Sequence, residues 1–190
     1  MQQQTTANFA LNSSPGTVTG IITDACAGNP VSGALVLVLD GQVIVGFDVT
    51  DSNGVYTVAT LAPGTYTVMA AKRNFVTQSA TVDVISNQTT TLNFVLTPMA
   101  LPPASIAGCL VCDKYLTQTN YVHKISWTAS PGLCVTGYYV YRNGKQIAFV
   151  SSSEKLKYVD CAYNKKTATY AVRTINFFGQ ISASLSITLG

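Results

Sequence analysis

Thr97-Pro98-Met99-Ala100-Leu101-Pro102-Pro103-Ala104-Ser105 divides the 190-residue sequence into two segments, each of domain size. Proline has no backbone N–H and a fixed φ, so three of them in nine residues exclude a helix interior or a central strand. The residue before each proline is also pushed to extended backbone. The stretch reads as a short, semi-rigid extended linker, with the linker proper at residues 98–103. Residues 16–97 and 104–190 are then the two domains, and residues 1–15 form a tail or extra strand.

Composition points to sheet rather than helix. Apolar residues make up 47% and charged residues only 10%, well under the usual quarter. Thr, Ser, Asn and Gln supply the missing polarity, and Val, Thr and Tyr favour strands. The net charge of +3 conceals an asymmetry. From Pro15 to Pro98, five aspartates (Asp24, Asp40, Asp48, Asp51, Asp83) face only Lys72 and Arg73, giving −3. From Pro103 onward, Asp113, Glu154 and Asp160 face seven lysines, Arg142 and Arg173, giving +6. Halves of opposite sign can steer head-to-tail contact or dock on an anionic surface. No run of 18 apolar residues exists, so no membrane span is expected. Met1–Ser14 lacks the basic end and apolar run of a secretory signal. That leaves a signal located elsewhere, or a route without one, as virion proteins use.

Between Thr17 and Leu96 seven short strands are expected, separated by Ala27-Gly28-Asn29-Pro30, Asp40-Gly41, Asp51-Ser52-Asn53-Gly54, Pro63-Gly64 and Ser86-Asn87. Asp-Gly between apolar runs signals a hairpin, because its turn needs positive φ. Tyr56/Val58, Tyr66/Val68 and Val82/Val84 set one apolar face per strand, the pattern of a two-sheet sandwich. Four ordered motifs carry a resemblance: Gly16-Thr-Val-Thr-Gly20, Asn29-Pro-Val-Ser-Gly33-Ala-Leu-Val36, Thr50-Asp-Ser-Asn-Gly54-Val-Tyr56 and Leu61-Ala-Pro-Gly64-Thr-Tyr-Thr-Val68. Together they resemble the carboxypeptidase regulatory-like domain, a prealbumin-like sandwich close to the Cna B-type repeats. The resemblance implies a non-catalytic accessory or stalk domain. Some Cna B-type relatives carry a Lys–Asn isopeptide bond. Residues 17–23 offer no lysine for one, so none is expected although Asn93 sits on the last strand.

The second segment again reads as seven short strands, with Asn143-Gly144 as a two-residue hairpin turn. Trp127 alternates with Ile125 as a core residue should. Ile125-Ser-Trp127-Thr-Ala-Ser-Pro131, Val135-Thr-Gly-Tyr-Tyr-Val-Tyr141 and Tyr170-Ala-Val-Arg-Thr-Ile-Asn176 resemble fibronectin type III domains. By that match Tyr170 is a tyrosine-corner residue whose hydroxyl would bond nearby backbone. The fold expected for the whole chain is all-β: two tandem immunoglobulin-like seven-stranded β-sandwiches joined by a Pro-rich linker.

Residues able to do chemistry are few. Cys109-Leu-Val-Cys112 has zinc or redox spacing, but no second close pair accompanies it and no βαβ context surrounds it. Cys112 leaves its strand toward the loop holding Cys161, and Cys109 could approach Cys134. Cys109, Cys112, Cys134 and Cys161 are therefore candidates for disulfides, with their pairing open, the reduced state the next alternative and a metal site the last. Cys26 reads as a free thiol or an intermolecular link. His123 is the only histidine and lacks an evident partner for acid–base work, so a structural role is expected. No His-Glu-x-x-His and no phosphate-cradling glycine motif occurs. The Asp51-Ser-Asn53-Gly54 turn offers too few oxygens for the six to eight that calcium takes. Tyr138, Tyr139, Tyr141 and Arg142 could form an aromatic–basic patch, but alternation should bury about half of them. No catalytic residue, metal or cofactor is expected.

In the tail, Ala7, Phe9 and Leu11 alternate with polar residues, the period of a strand. That segment could pair with its own sheet, stay disordered, or be donated to a neighbour's edge. Function is expected to be non-enzymatic: an extracellular or cell-surface structural or adhesive module, with a protein or glycan surface as partner. The alternatives are a self-assembling subunit of a filament or phage virion, with copies of itself as partner, and the accessory region of a secreted hydrolase. Nucleic acid is not expected as a partner. Binding should lie on loops Ser130–Val135, Ser151–Lys155 and Asn176–Gln180.

Overall fold

The computed structural model describes residues 14–114, 119–161, 163 and 165–190. All regular structure among the described residues is β, and they contain no helix long and apolar enough to cross a membrane. The described chain forms two compact units, 14–73 with 77–96 and 74–76 with 97–190. The stretch read as a linker is hydrogen-bonded at its start, where Val76 N donates to Thr97 O and Met99 N to Asn74 O.

The first unit holds β1 (Gly16–Asp24), β2 (Leu35–Asp40), β3 (Val43–Val49), β4 (Val55–Leu61), β5 (Gly64–Ala71), β6 (Gln78–Val84), β7 (Thr89–Thr91) and β8 (Phe94–Leu96). One sheet runs β4-β1-β7, with β8 also on β1; the other runs β3-β2-β5-β6. Period-two alternation in β1 buries Val18 and Ile22 fully, and Val36, Val38 and Val68 of the other sheet are fully buried as well. At about 25 cal/mol per Å² of apolar surface, such burial is the main stabilising term.

Eight strands appear here rather than seven, because the last one breaks at Leu92–Asn93. The cause is a close crossing over Gly20, where a Cβ would run into the Leu92 carbonyl. The break is well bonded: Leu92 N donates to Thr19 O, Ile21 N to Asn93 Oδ1 at 2.8 Å, and Tyr56 Oη to Leu92 O at 2.6 Å. Asn93, weighed in the sequence as a crosslink acceptor, thus spends its amide oxygen on the β1 backbone. In the β2–β3 hairpin Gly41 alone has positive φ, so Asp40 ends the strand and glycine takes the first turn position.

The second unit holds β9 (Ile106–Lys114), β10 (Thr119–Trp127), β11 (Val135–Arg142), β12 (Lys145–Ser151), β13 (Lys157–Asp160), β14 (Ala168–Asn176) and β15 (Leu185–Leu189). Its sheets run β13-β10-β9 and β12-β11-β14-β15. Ile125, Trp127, Tyr138, Val140, Tyr170 and Val172 fill the space between them. Asn143 and Gly144 both have positive φ, the turn that the dipeptide demands.

Candidate functional site

Three loops of the second unit meet at one end of its sandwich. Phe177 N donates to Cys134 O, and Ser152 N to Thr136 O, so Ser130–Val135, Ser151–Lys155 and Asn176–Gln180 lie side by side. Asn176, 2% exposed, organises the last of them. Its Oδ1 accepts from Phe178 N at 3.1 Å and Gln180 N at 3.0 Å. Its Nδ2 donates to Pro98 O at 3.0 Å and to Gln180 Oε1 at 3.1 Å. Gly179 completes the turn at a φ of 75°.

The clamp presents Phe177, 75% exposed, and Phe178, 37% exposed. Their rings stand edge to face with centroids 5.6 Å apart. Leu133 and Ile181 are exposed beside them in the sequence of these loops. Asn176 fixes the backbone of the turn that carries both rings, so little loop ordering is needed when a partner covers them. Loop position alone pointed here from the sequence. The clamp was legible only as Asn176 before a Phe-Phe-Gly turn.

Deeper in the same sandwich lies a buried polar cluster. Asp160, 1% exposed, accepts from Arg142 Nη1 at 2.7 Å and from Tyr170 Oη at 2.8 Å. Arg142 lies 4.4 Å over the Tyr163 ring. His123 pairs in register with Asp160 and is fully enclosed, its Nε2 3.3 Å from the Lys166 carbonyl. Burial, and then the bond to Asp160, raises the Tyr170 phenol well above its usual range. The tyrosine-corner expectation is corrected here: the Tyr170 hydroxyl bonds a carboxylate rather than backbone, because β13 sets Asp160 within reach. His123 packs against Tyr163 and Tyr170, with ring centroids 5.7 Å and 5.4 Å away, so its imidazole serves as core among the described residues.

The cysteines depart from the expected grouping. Cys109 and Cys161 are free and exposed, so these two candidates form no disulfide. Cys109 stands opposite Lys124 on β10, three residues before the strand ends at Trp127, with its side chain on the exposed face. Cys134 is disulfide-bonded, and so is Cys26, which the sequence read as free or intermolecular. The Cys112 side chain lies outside what is described, as do Ala7, Phe9 and Leu11. Among the described residues, no three His, Cys, Asp or Glu side chains gather as a metal site needs. The Asp51 carboxylate serves its own turn, accepting from Asn53 N and Val55 N at 2.8 Å each.

The aromatic–basic patch divides as alternation requires. Tyr138 is in the core against Trp127, and Arg142 turns to Asp160. Tyr139 packs on Phe149 and Tyr141 under Arg173 on the outer face.

Residues 17–97 match the family model of the carboxypeptidase regulatory-like domain, and that domain is present in the first unit. No curated protein sequence matches the chain. Among solved structures, the minor pilin of Streptococcus agalactiae is similar at a TM-score of 0.42 and 14% identity, over 48% of each chain. The Bacillus anthracis TIE protein gives 0.41 and 14%, over 93% of this chain and 31% of that one. The major pilin subunit of Bacillus cereus gives 0.41 and 13%, over 93% and 69%. The chain thus spans about half or less of the first two.

Proposed function

We propose that the protein is a non-enzymatic structural and adhesive module working outside the cell or at its surface, with the loop end of the second unit as its contact surface. The observation that carries this reading is the Asn176 clamp, which holds two exposed phenylalanines on a fixed turn. Natural surfaces seldom hold large apolar rings rigidly in water without a partner for them. Aromatic faces suit sugar rings or an apolar protein patch, and nothing in the loops resembles a reacting group. The carboxypeptidase regulatory-like domain beside it fits a spacer rather than a catalytic part. The second unit is read as a fibronectin type III module, supported by its three-plus-four division of strands and by Tyr170 at the core.

The test is binding of the purified chain to immobilised oligosaccharides and to cell-surface protein extracts. Phe177→Ser with Phe178→Ser should lower retention at least tenfold while leaving the melting temperature unchanged. Equal retention by the double variant would remove the loop end as the contact surface. A second reading, self-assembly, is favoured by the apolar β3 edge of the first unit.

A further inference from the structure

A groove of about 490 Å³ opens in the first unit between β3 and β4, walled by Ile44–Phe47 on one side and Thr57–Thr60 on the other. Both strands are sheet edges there, since β3 pairs only with β2, and β4 only with β1. Edge strands are usually protected by lysine, proline or brevity. β3 has no lysine or proline and is seven residues long; its one irregularity is the bulge at Val45, where the register with β2 shifts. Val43, Ile44, Val45, Phe47 and Val49 are 43–69% exposed along it. Ile44, Phe47 and Val49 stand opposite Leu39, Leu37 and Leu35 in register, so the outer face of the sheet is apolar up to its rim. The single ionisable residue of the strand, Asp48, is already engaged. Its Oδ2 accepts from Thr57 N at 2.6 Å and its Oδ1 from Val49 N, closing one end of the groove.

We propose that this groove receives residues 7–11 of a second copy of the chain as an added β-strand. The proposal deepens the self-assembly form of the structural-module reading and rests on it. Ala7-Asn8-Phe9-Ala10-Leu11 is uncharged and alternates large apolar with polar or small residues, which suits one apolar face and main-chain pairing with an edge. Five extended residues span about 17 Å, the scale of the four-residue walls. Ser14 and Pro15 are held on the side of β1 away from β4. Ser14 O accepts from Ser86 Oγ at 2.9 Å, and Pro15 O from Asn87 N. The chain therefore enters β1 from the side of β7, whereas β4 and the groove lie on the other side of β1. Leu11, three residues before Ser14, reaches about 10 Å, no more than the roughly 10 Å of the two strand spacings from β1 past β4, which leaves no slack for the turn the chain's own tail would need. Donation from copy to copy is head-to-tail, and a head-to-tail contact that does not close builds an open filament.

The test uses three proteins: the full chain, a chain lacking residues 1–13 that can only accept, and Ile44→Lys with Phe47→Lys that can only donate. The full chain should grow with concentration in light scattering, while each variant alone stays monomeric. An equimolar mixture of the two variants should give a one-to-one dimer. A labelled peptide of residues 4–13 should bind the acceptor-only chain, and Phe9→Asp in the peptide should weaken binding at least tenfold. That measurement also decides the matter if the lysine variant does not fold. Assembly that survives loss of residues 1–13 would overturn the proposal, as would a monomeric full chain together with a peptide that does not bind. Either result would leave the phenylalanine loop reading standing.

Discussion

Tyr56 shows how a single side chain ties stability to pH. It is 1% exposed, and burial pushes its phenol up to about 12 from 10.0. An acid whose folded pKa lies above its unfolded one gives stability that is full below the unfolded value and lost as pH rises through the folded one. The melting temperature should hold level to about pH 9 and fall between pH 10 and 12. Tyr56→Phe should flatten that fall, at the cost of the hydrogen bond to Leu92 O, about 1 kcal/mol. Thermal scans across that range check both. Asp160 is a second residue on which stability depends, through its buried hydrogen bonds. Tyr170→Phe should cost about 1–2 kcal/mol, since Arg142 still serves the carboxylate. Asp160→Ala should cost about 3 kcal/mol by leaving the guanidinium and phenol unpaired, measured by urea unfolding. For the thiols, Cys109→Ser and Cys161→Ser should each remove one equivalent of fast-reacting thiol from the native protein.

At the scale of elements, the structure depends on polar side chains that fasten loops to strands. Thr50 is 4% exposed; its hydroxyl donates to Val31 O at 2.6 Å and accepts from Ala34 N at 2.8 Å. Thr50→Val should cost about 2–4 kcal/mol, because two buried backbone groups lose their partner at once, and a chemical denaturation midpoint would report it. A loss under 0.5 kcal/mol would mean that the β2 entry does not depend on this bond. Most strands were legible, because turn residues with a defined backbone need separate them: Asn143-Gly144 landed on the turn its chemistry requires. The break of β7 from β8 was not legible, since it arises from backbone crossing Gly20, a contact between residues 72 apart in sequence. The loop end of the second unit was legible as a place, because sandwiches cluster their loops. Its Asn176 clamp was not, since an asparagine beside a turn has many uses. The cysteine grouping failed for a similar reason: spacing along the chain says little about which face of a sheet a thiol occupies.

For the whole molecule, charge is the property most open to test. The second segment carries +6 against −3 for the first, and Lys124 and Lys157 line one shallow pocket with Cys109 and Val159. The chain should be retained on a cation exchanger at pH 7. Lys124→Glu with Lys157→Glu takes the net charge from +3 to −1 and should bring elution forward to low salt. Unchanged elution would place the binding charge elsewhere, in the Lys165–Lys166 stretch or on Lys145.

The parallel pairing of β1 has a consequence of its own. Thr17–Thr19 run beside Thr89–Thr91, and Ile22–Asp24 beside Phe94–Leu96, all in the same direction. The first strand of the unit is thus zipped to its last two. If the chain is stretched between Gly16 and Leu96, these ladders slide lengthwise, and their hydrogen bonds share the pull instead of opening one by one. In the second unit the outermost strands, β9 and β15, belong to different sheets and have no ladder between them. Under tension the second unit is expected to give way first, and the first to hold as a mechanical clamp.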